Sequence, residues 1–162
     1  MKVSKRRRRE GKTDYLVRKN ILKSQRPRIV FRKTNRYVTA QYVESIAAQD
    51  KIIIGINSKI LLGYGWPKEN QGSLKTIPAS YLMGLLMGKK IIEKKLDLPV
   101  VDFGMLKTIH KNKLFAFLKG LGDSGLKIKV DKKTLPSEDR IMGEHLTKKI
   151  NFNEIKSKIE KS

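Results

Sequence analysis

The chain has 162 residues, the length of one domain plus an arm or tail, with 37 Lys and Arg against 15 Asp and Glu and a formal net charge of +22. Self-repulsion on that scale destabilises a compact monomer, so a polyanionic partner is expected. The lack of cysteine excludes disulfides and thiolate metal sites and fits an intracellular protein, and the longest apolar stretch, "IPASYLMGLLMG", is shorter than the ~18 residues a membrane span needs.

The charge is concentrated at the start. Residues 1–36 hold 15 Lys and Arg against only Glu10 and Asp14, as in a basic arm. Residues 1–12 carry almost no apolar side chains and are expected to be disordered in isolation. The polar "EGKTDY" that follows is no signal-peptide core, so a soluble chain is expected. Thr13 can cap a helix, Asp14 suits its positive end, and Leu16, Val17, Ile21 and Leu22 form a short apolar stripe. Pro27 stops it.

"RIVFRKTNRYVTAQYVES" reads as two strands around a tight turn at Thr34-Asn35-Arg36. "KIIIGIN" (Lys51–Asn57) looks like a third strand from a sheet interior, "SKILLGYGW" a short helix, and "PKENQGSLK" a loop. Thr76 caps a long helix to about Lys95, with Pro78 in its first turn, a buried side at Leu82, Leu85 and Leu86, and Gly84 and Gly88 for close packing. "LPVVDFG" is a fourth strand and "MLKTIHKNK" a loop. Leu114, Phe117, Leu118 and Leu121 then have the spacing of an amphipathic helix closed by Gly125. Ser137 caps "EDRIMGEHL", the last patterned helix. The expected fold is α/β, a mixed sheet of about four strands packed with helices. Its divisions are a basic arm and short helix (1–24), a globular RNA-binding domain (25–130) and a helical C-terminal tail (131–162).

Chemistry has little support. His110 and His145 lack metal-ligand spacing and a Ser/Asp partner, and no phosphate-loop motif surrounds Gly63 or Gly65. A two-metal nuclease can be imagined on Asp102 and Glu44, but a cap or turn role for Asp102 is preferred, and no cofactor or small-molecule substrate is implied. An arginine run alone also serves as an import signal or a membrane-surface patch. The hairpin says more. Arg28, Arg32, Lys33 and Arg36 cluster with Asn35, Tyr37 and Gln41 around one turn and one strand face. Guanidinium forks bind phosphates, amides reach base edges or 2′-hydroxyls, and tyrosine stacks on unpaired bases. Arg18, Lys19 and Lys23 on the preceding helix extend this surface, and Lys107, Lys111 and Lys113 offer a second region. The mixture of arm, hairpin and loop charges suits folded RNA better than DNA.

"RRRREGKTDYLVRK", "RPRIVFRKTNRYVTAQ", "YGW", "ASYLMGLLMGKK", "FAFLKGLGDSGL" and "LPSEDRIMGEH", in order from Arg6 to His145, resemble the universal L-eighteen family of large-subunit ribosomal proteins, in its archaeal and eukaryotic branch. The resemblance implies a structural protein that binds 5S rRNA and helps anchor it in the central protuberance. The neighbours it implies are 23S-type rRNA and the L-five-type protein. Carried over by position, the RNA contacts fall on Arg6, Arg7, Arg8, Arg9, Lys12 and Arg18, then on Arg28, Arg32, Lys33, Asn35, Arg36 and Gln41. Two segments depart from the family: "IHKNKL" replaces a "TKG" and an arginine, and "LKTIPASYLMG" replaces "GNTPAAYLTG". The chain also ends soon after "GEHL", which resembles archaeal members. A metal-dependent nuclease or a free-standing RNA chaperone is the alternative.

Overall fold

The computed structural model describes residues 3–46, 49–146 and 149–161. Among these, α1 (Arg6–Arg9) and α2 (Tyr15–Lys23) precede β1 (Arg28–Lys33), β2 (Val38–Ile46) and β3 (Gln49–Asn57). Then come α3 (Ile77–Glu93), β4 (Val100–Asp102), α4 (Lys113–Asp123), α5 (Glu138–Met142) and α6 (Phe152–Lys161), with short 3-10 turns between. The sheet order is β3-β2-β1-β4, antiparallel except for the parallel β1/β4 pair. A parallel pair requires a crossover, and α3 is the main element of the one that returns the chain to β4. The expected α/β mixed sheet of four strands is therefore present. No helix among the described residues is long and apolar enough to cross a membrane.

One sheet face carries the core. Ile29 and Phe31 of β1, Val38, Ala40 and Tyr42 of β2, and Ile54 and Ile56 of β3 are buried, as period-2 alternation requires. Phe31 is central, its ring 4.7 Å from Phe117 of α4 and 5.9 Å from Phe103. The helices α3 and α4 pack against each other more closely than any side chain at the crossing would permit. A Cβ on Gly84 would overlap the carbonyl of Phe117, and one on Gly120 would overlap that of Tyr81.

Several expectations need correction. Asp14, not Thr13, caps α2: its Oδ1 accepts from Leu16 N (3.0 Å) and Val17 N (3.2 Å). The apolar stripe of α2 is not buried; Leu16 is 68% and Val17 47% exposed. The run "KIIIGIN" belongs to an edge strand, not the interior, so Ile52 stays exposed while Ile54 and Ile56 are buried in the core. "PKENQGSLK" contains a 3-10 turn (Lys68–Ser73), and Thr76 starts α3 without a side-chain cap bond. Beyond the short α5, the lysine-rich end forms α6, whose Phe152, Ile155 and Ile159 join the same core. Its weak pattern reflects only three apolar residues on ten, all of them on the side facing α3. Lys89 of α3 donates to the terminal carbonyls of Ile159 (2.9 Å) and Glu160, which holds the end of α6 against α3.

The backbone contact between α3 and α4 cannot relax by moving a side chain. Gly84→Ala should therefore cost about 3 kcal/mol, the upper part of the overpacking range. Thermal unfolding should show this as a fall in Tm of roughly 10 °C.

Candidate nucleic-acid interface

The basic side chains divide into two groups on opposite faces of the sheet. Period-2 alternation puts Arg28, Val30 and Arg32 on the face away from α3 and α4, where the arm lies, and Lys33 on the helix face with Phe31. The expectation of one turn and one strand face is corrected accordingly. The turn itself, Thr34 to Tyr37, is closed by Thr34 N donating to Tyr37 O at 2.9 Å and Tyr37 N donating to Thr34 Oγ1 at 3.0 Å.

On the arm face a carboxylate organises the site. Asp102 ends β4 beside β1, and its Oδ2 accepts from Arg28 Nη1 and Arg32 Nη2, each at 3.4 Å. Its Oδ1 accepts from Gly104 N at 2.7 Å, and its backbone carbonyl accepts from Arg32 Nη1 at 3.0 Å. Arg28 is only 3% exposed and also donates to Asp50 Oδ2 at 2.6 Å. Asp50 accepts in turn from Arg18 Nη2 (3.1 Å) and from Ser45 Oγ (2.8 Å). Burial acts to raise the Asp50 pKa, but the hydrogen bonds from Ser45 and Arg18 and the charge of Arg28 outweigh it and hold the carboxyl below its ordinary value.

Arg28, singled out as a phosphate ligand, is thus enclosed by two carboxylates and joins strand to arm instead. Arg32 keeps about half its side chain exposed while anchored to Asp102. Arg18 is half-buried on Asp50, whereas Lys19 and Lys23 are exposed on α2. Gln41 lies on the arm face, opposite Val30 and half-buried. Lys33, Asn35 and Arg36 are exposed at the turn. Tyr37 is half-buried with Lys59 Nζ 4.9 Å from its ring centroid, so one ring face already holds a cation. Lys107 and Lys111 are exposed and Lys113 is half-buried at the start of α4. His110 is exposed, its ring edge-on to Phe115 at 5.8 Å, and His145 is exposed beyond α5.

Arg6–Arg9, part of a segment expected to be disordered in isolation, forms a helical turn. Local bonds account for it. Arg8 Nη1 donates to Asp14 Oδ2 at 2.6 Å, Arg7 Nε donates to Thr13 Oγ1 at 3.0 Å, and Gly11 reverses the chain at φ +63°. The Arg8 guanidinium and the Val17 and Leu16 amides hold the Asp14 carboxyl below its usual range, the Val17 backbone bond contributing most. Arg6 and Lys12 both approach Glu10, at 3.6 and 2.8 Å, and Arg9 is exposed.

Sequence reasoning missed Asp50, Lys59, Lys75 and Arg140. Asp50 sits in a hairpin and was hidden by its exposed position. Arg140 of α5 lines the same cleft as Lys33, and Lys75 before α3 lies close enough to act on Lys113, placements that no local pattern reports.

Residues 1–99 match the family described as "Ribosomal large subunit proteins 60S L5, and 50S L18". The chain is 41% identical over 145 residues to the large ribosomal subunit protein uL18 of Korarchaeum cryptofilum, covering 90% of this chain and 72% of the relative. It is 42% identical over 146 residues to the protein of the same name from Caldivirga maquilingensis, covering 90% and 69%. With that of Methanoregula boonei it shares 40% over 144 residues, covering 89% and 80%.

Two predictions separate joints from surface. Asp102→Ala leaves the buried Arg28 with Asp50 as its remaining carboxylate and removes the bonds to Arg32 and Gly104 N, which should cost about 1–3 kcal/mol in denaturant unfolding, whereas Lys33→Ala or Arg36→Ala should change stability by no more than about 0.5 kcal/mol. Asp14 binds its proton less readily folded than unfolded, so its contribution is present above the ordinary value of 3.8 and disappears as pH falls through the folded value. Hydrogen exchange of the α2 amides should accelerate below about pH 4 by more than intrinsic chemistry explains, and Asp14→Ala should abolish that step.

Proposed function

The chain belongs to the family of ribosomal large-subunit proteins that takes in 60S L5 and 50S L18, a structural component of the large subunit of the cytoplasmic ribosome, and from that premise we propose that it binds 5S rRNA and attaches it to the 23S-type rRNA in the central protuberance. The L-five-type protein is its neighbour there. It acts by binding, without chemical turnover. Asp102, the carboxylate a metal-dependent nuclease would use, is instead taken up by two guanidiniums and a backbone N–H.

The observation that carries this reading is the separation of charge by depth. On the arm face the buried Arg28 and half-buried Arg18 are matched with Asp50 and Asp102, while Lys33 and Arg36 at the turn and Lys107 and Lys111 in the loop after β4 stand exposed. Asn35 on the same turn brings an amide that can read a base edge or a 2′-hydroxyl, and the exposed half of Arg32 continues the surface toward the arm. Arg9, Lys19 and Lys23 extend it along α1 and α2. Arg28 does not belong to this RNA surface; its burial assigns it to the fold.

A titration of the full chain with 5S rRNA tests the proposal. Neutralising about 6–10 phosphates predicts an affinity loss of about 10³–10⁵ between 50 and 200 mM salt. Joint replacement of Lys33, Arg36 and Lys111 by alanine should reduce the salt slope by about 2–3 with the unfolding transition unchanged. A flat salt response would reject rRNA binding, and an unaltered slope in the variant would move the interface off this turn.

A further inference from the structure

On the helix face of the sheet, the end of β1, the first turns of α3 and α4 and the loop 103–112 enclose a cleft of about 670 Å³. That lies within the ~300–1,000 Å³ typical of sites for small organic ligands. Its floor is apolar. Phe31, Ile77 and Leu114 are buried beneath it, while Met105 and Ile109 stand at the mouth, 43% and 63% exposed. Large apolar side chains so exposed, beside an apolar floor, form a surface awaiting a flat or apolar group.

The rim has one sign of charge. Among the described residues, the charged side chains lining the cleft are Lys33, Lys107, Lys111, Lys113 and Arg140. Burial, and then the nearby Lys33 and Lys75, hold the Lys113 ammonium below its ordinary value. Lys33 and Lys113 line the same cleft with no acidic side chain among its lining residues, an arrangement that favours a bound anion of permanent charge. The walls are set before any ligand arrives. Asn112 caps α4 through Leu114 N at 2.8 Å and donates to Lys107 O at 3.4 Å. Lys111 N donates to Thr134 O at 2.8 Å, and the Arg32 guanidinium lies against Gly104 so closely that a Cβ there would be 2.9 Å from its Cζ.

We propose that this cleft receives one unstacked nucleotide of RNA, its base against Ile109, Met105 and Leu106 and its phosphate between Lys33 and Lys113. This rests on the rRNA-binding reading and deepens it, by separating a base-accepting slot from the phosphate-binding surface around it. A nucleotide fits both halves of the site at once. The base supplies a flat apolar face, and the adjoining phosphodiesters stay anionic at every physiological pH. A base paired in a helix cannot enter, so the site selects an unpaired or bulged position.

The test uses the full chain with ¹³C-labelled Ile and Met methyl groups and four probes. These are 5S rRNA, a mixed-sequence single-stranded RNA pentamer, an RNA duplex, and an acidic amphipathic peptide. The pentamer should shift the Met105 and Ile109 methyl signals, while the duplex should bind without moving them. Ile109→Ser removes an exposed wall without adding charge. It should weaken pentamer binding fivefold or more and leave duplex binding within twofold. Binding of 5S rRNA with both methyl signals unmoved would overturn the slot alone, whereas failure of 5S rRNA to bind would overturn the functional reading as well. Methyl shifts saturated by the peptide and not by the pentamer would make the occupant a protein and also reject the proposal.

Discussion

The Asp102 carboxylate is the point at which strand order, arm and loop are tied together. It terminates β4 at the one parallel pairing of the sheet, and it holds Arg28 and Arg32 of β1 with one oxygen and the amide that starts the loop 103–112 with the other. Arg28 then reaches Asp50 of β3, and Asp50 reaches Arg18 on α2. A buried ion pair of this kind is weak evidence of net stability, because desolvation offsets most of the attraction. Its effect is geometric. Arg28 is shared by both carboxylates and each carboxylate holds a second guanidinium, so the arm-side helix, two strands and the cleft wall keep one relative arrangement.

The same placement of acids limits self-repulsion in so basic a chain. With 15 acids against 37 Lys and Arg, the carboxylates cannot neutralise the surface. Several are instead placed where a basic element must dock: Asp14 under Arg8, Asp50 between Arg18 and Arg28, and Asp102 between Arg28 and Arg32. Pairs with a buried partner are screened little by salt, whereas exposed lysines are screened strongly. Added salt should therefore loosen polyanion binding long before it loosens the docking of β1 against β4.

The elements that were legible in the sequence are those whose pattern is local. The two strands of "RIVFRKTNRYVTAQYVES", the turn at Thr34, the stripe Leu114, Phe117, Leu118, Leu121 and the paired small residues Gly84 and Gly88 each needed only a few residues to be read. What misled were features set by distant partners. The run Lys51–Asn57 looked interior because it is continuously apolar, but chain order places it at the sheet edge. Arg28 looked like its neighbour Arg32, and only Asp50 and Asp102, 22 and 74 residues away, distinguish a joint from a surface cation. The α6 stripe was too sparse to stand out until α3 supplied its other half.

The helical turn at Arg6–Arg9 changes how the arm can engage a phosphate. A disordered arm would lose conformational entropy on binding, about 1–2 kcal/mol per backbone residue fixed. Here the turn is held by local bonds of Arg8 to Asp14 and of Arg7 to Thr13, so on the RNA-binding reading proposed above a phosphate competes with Asp14 for Arg8. Asp14 divides its two oxygens between tasks: Oδ1 receives the Leu16 and Val17 amides, and Oδ2 receives Arg8. Arg8 can therefore transfer its guanidinium to a phosphate while Oδ1 continues to cap α2. The arm can exchange one anion for another without unfolding the helix that joins it to the sheet.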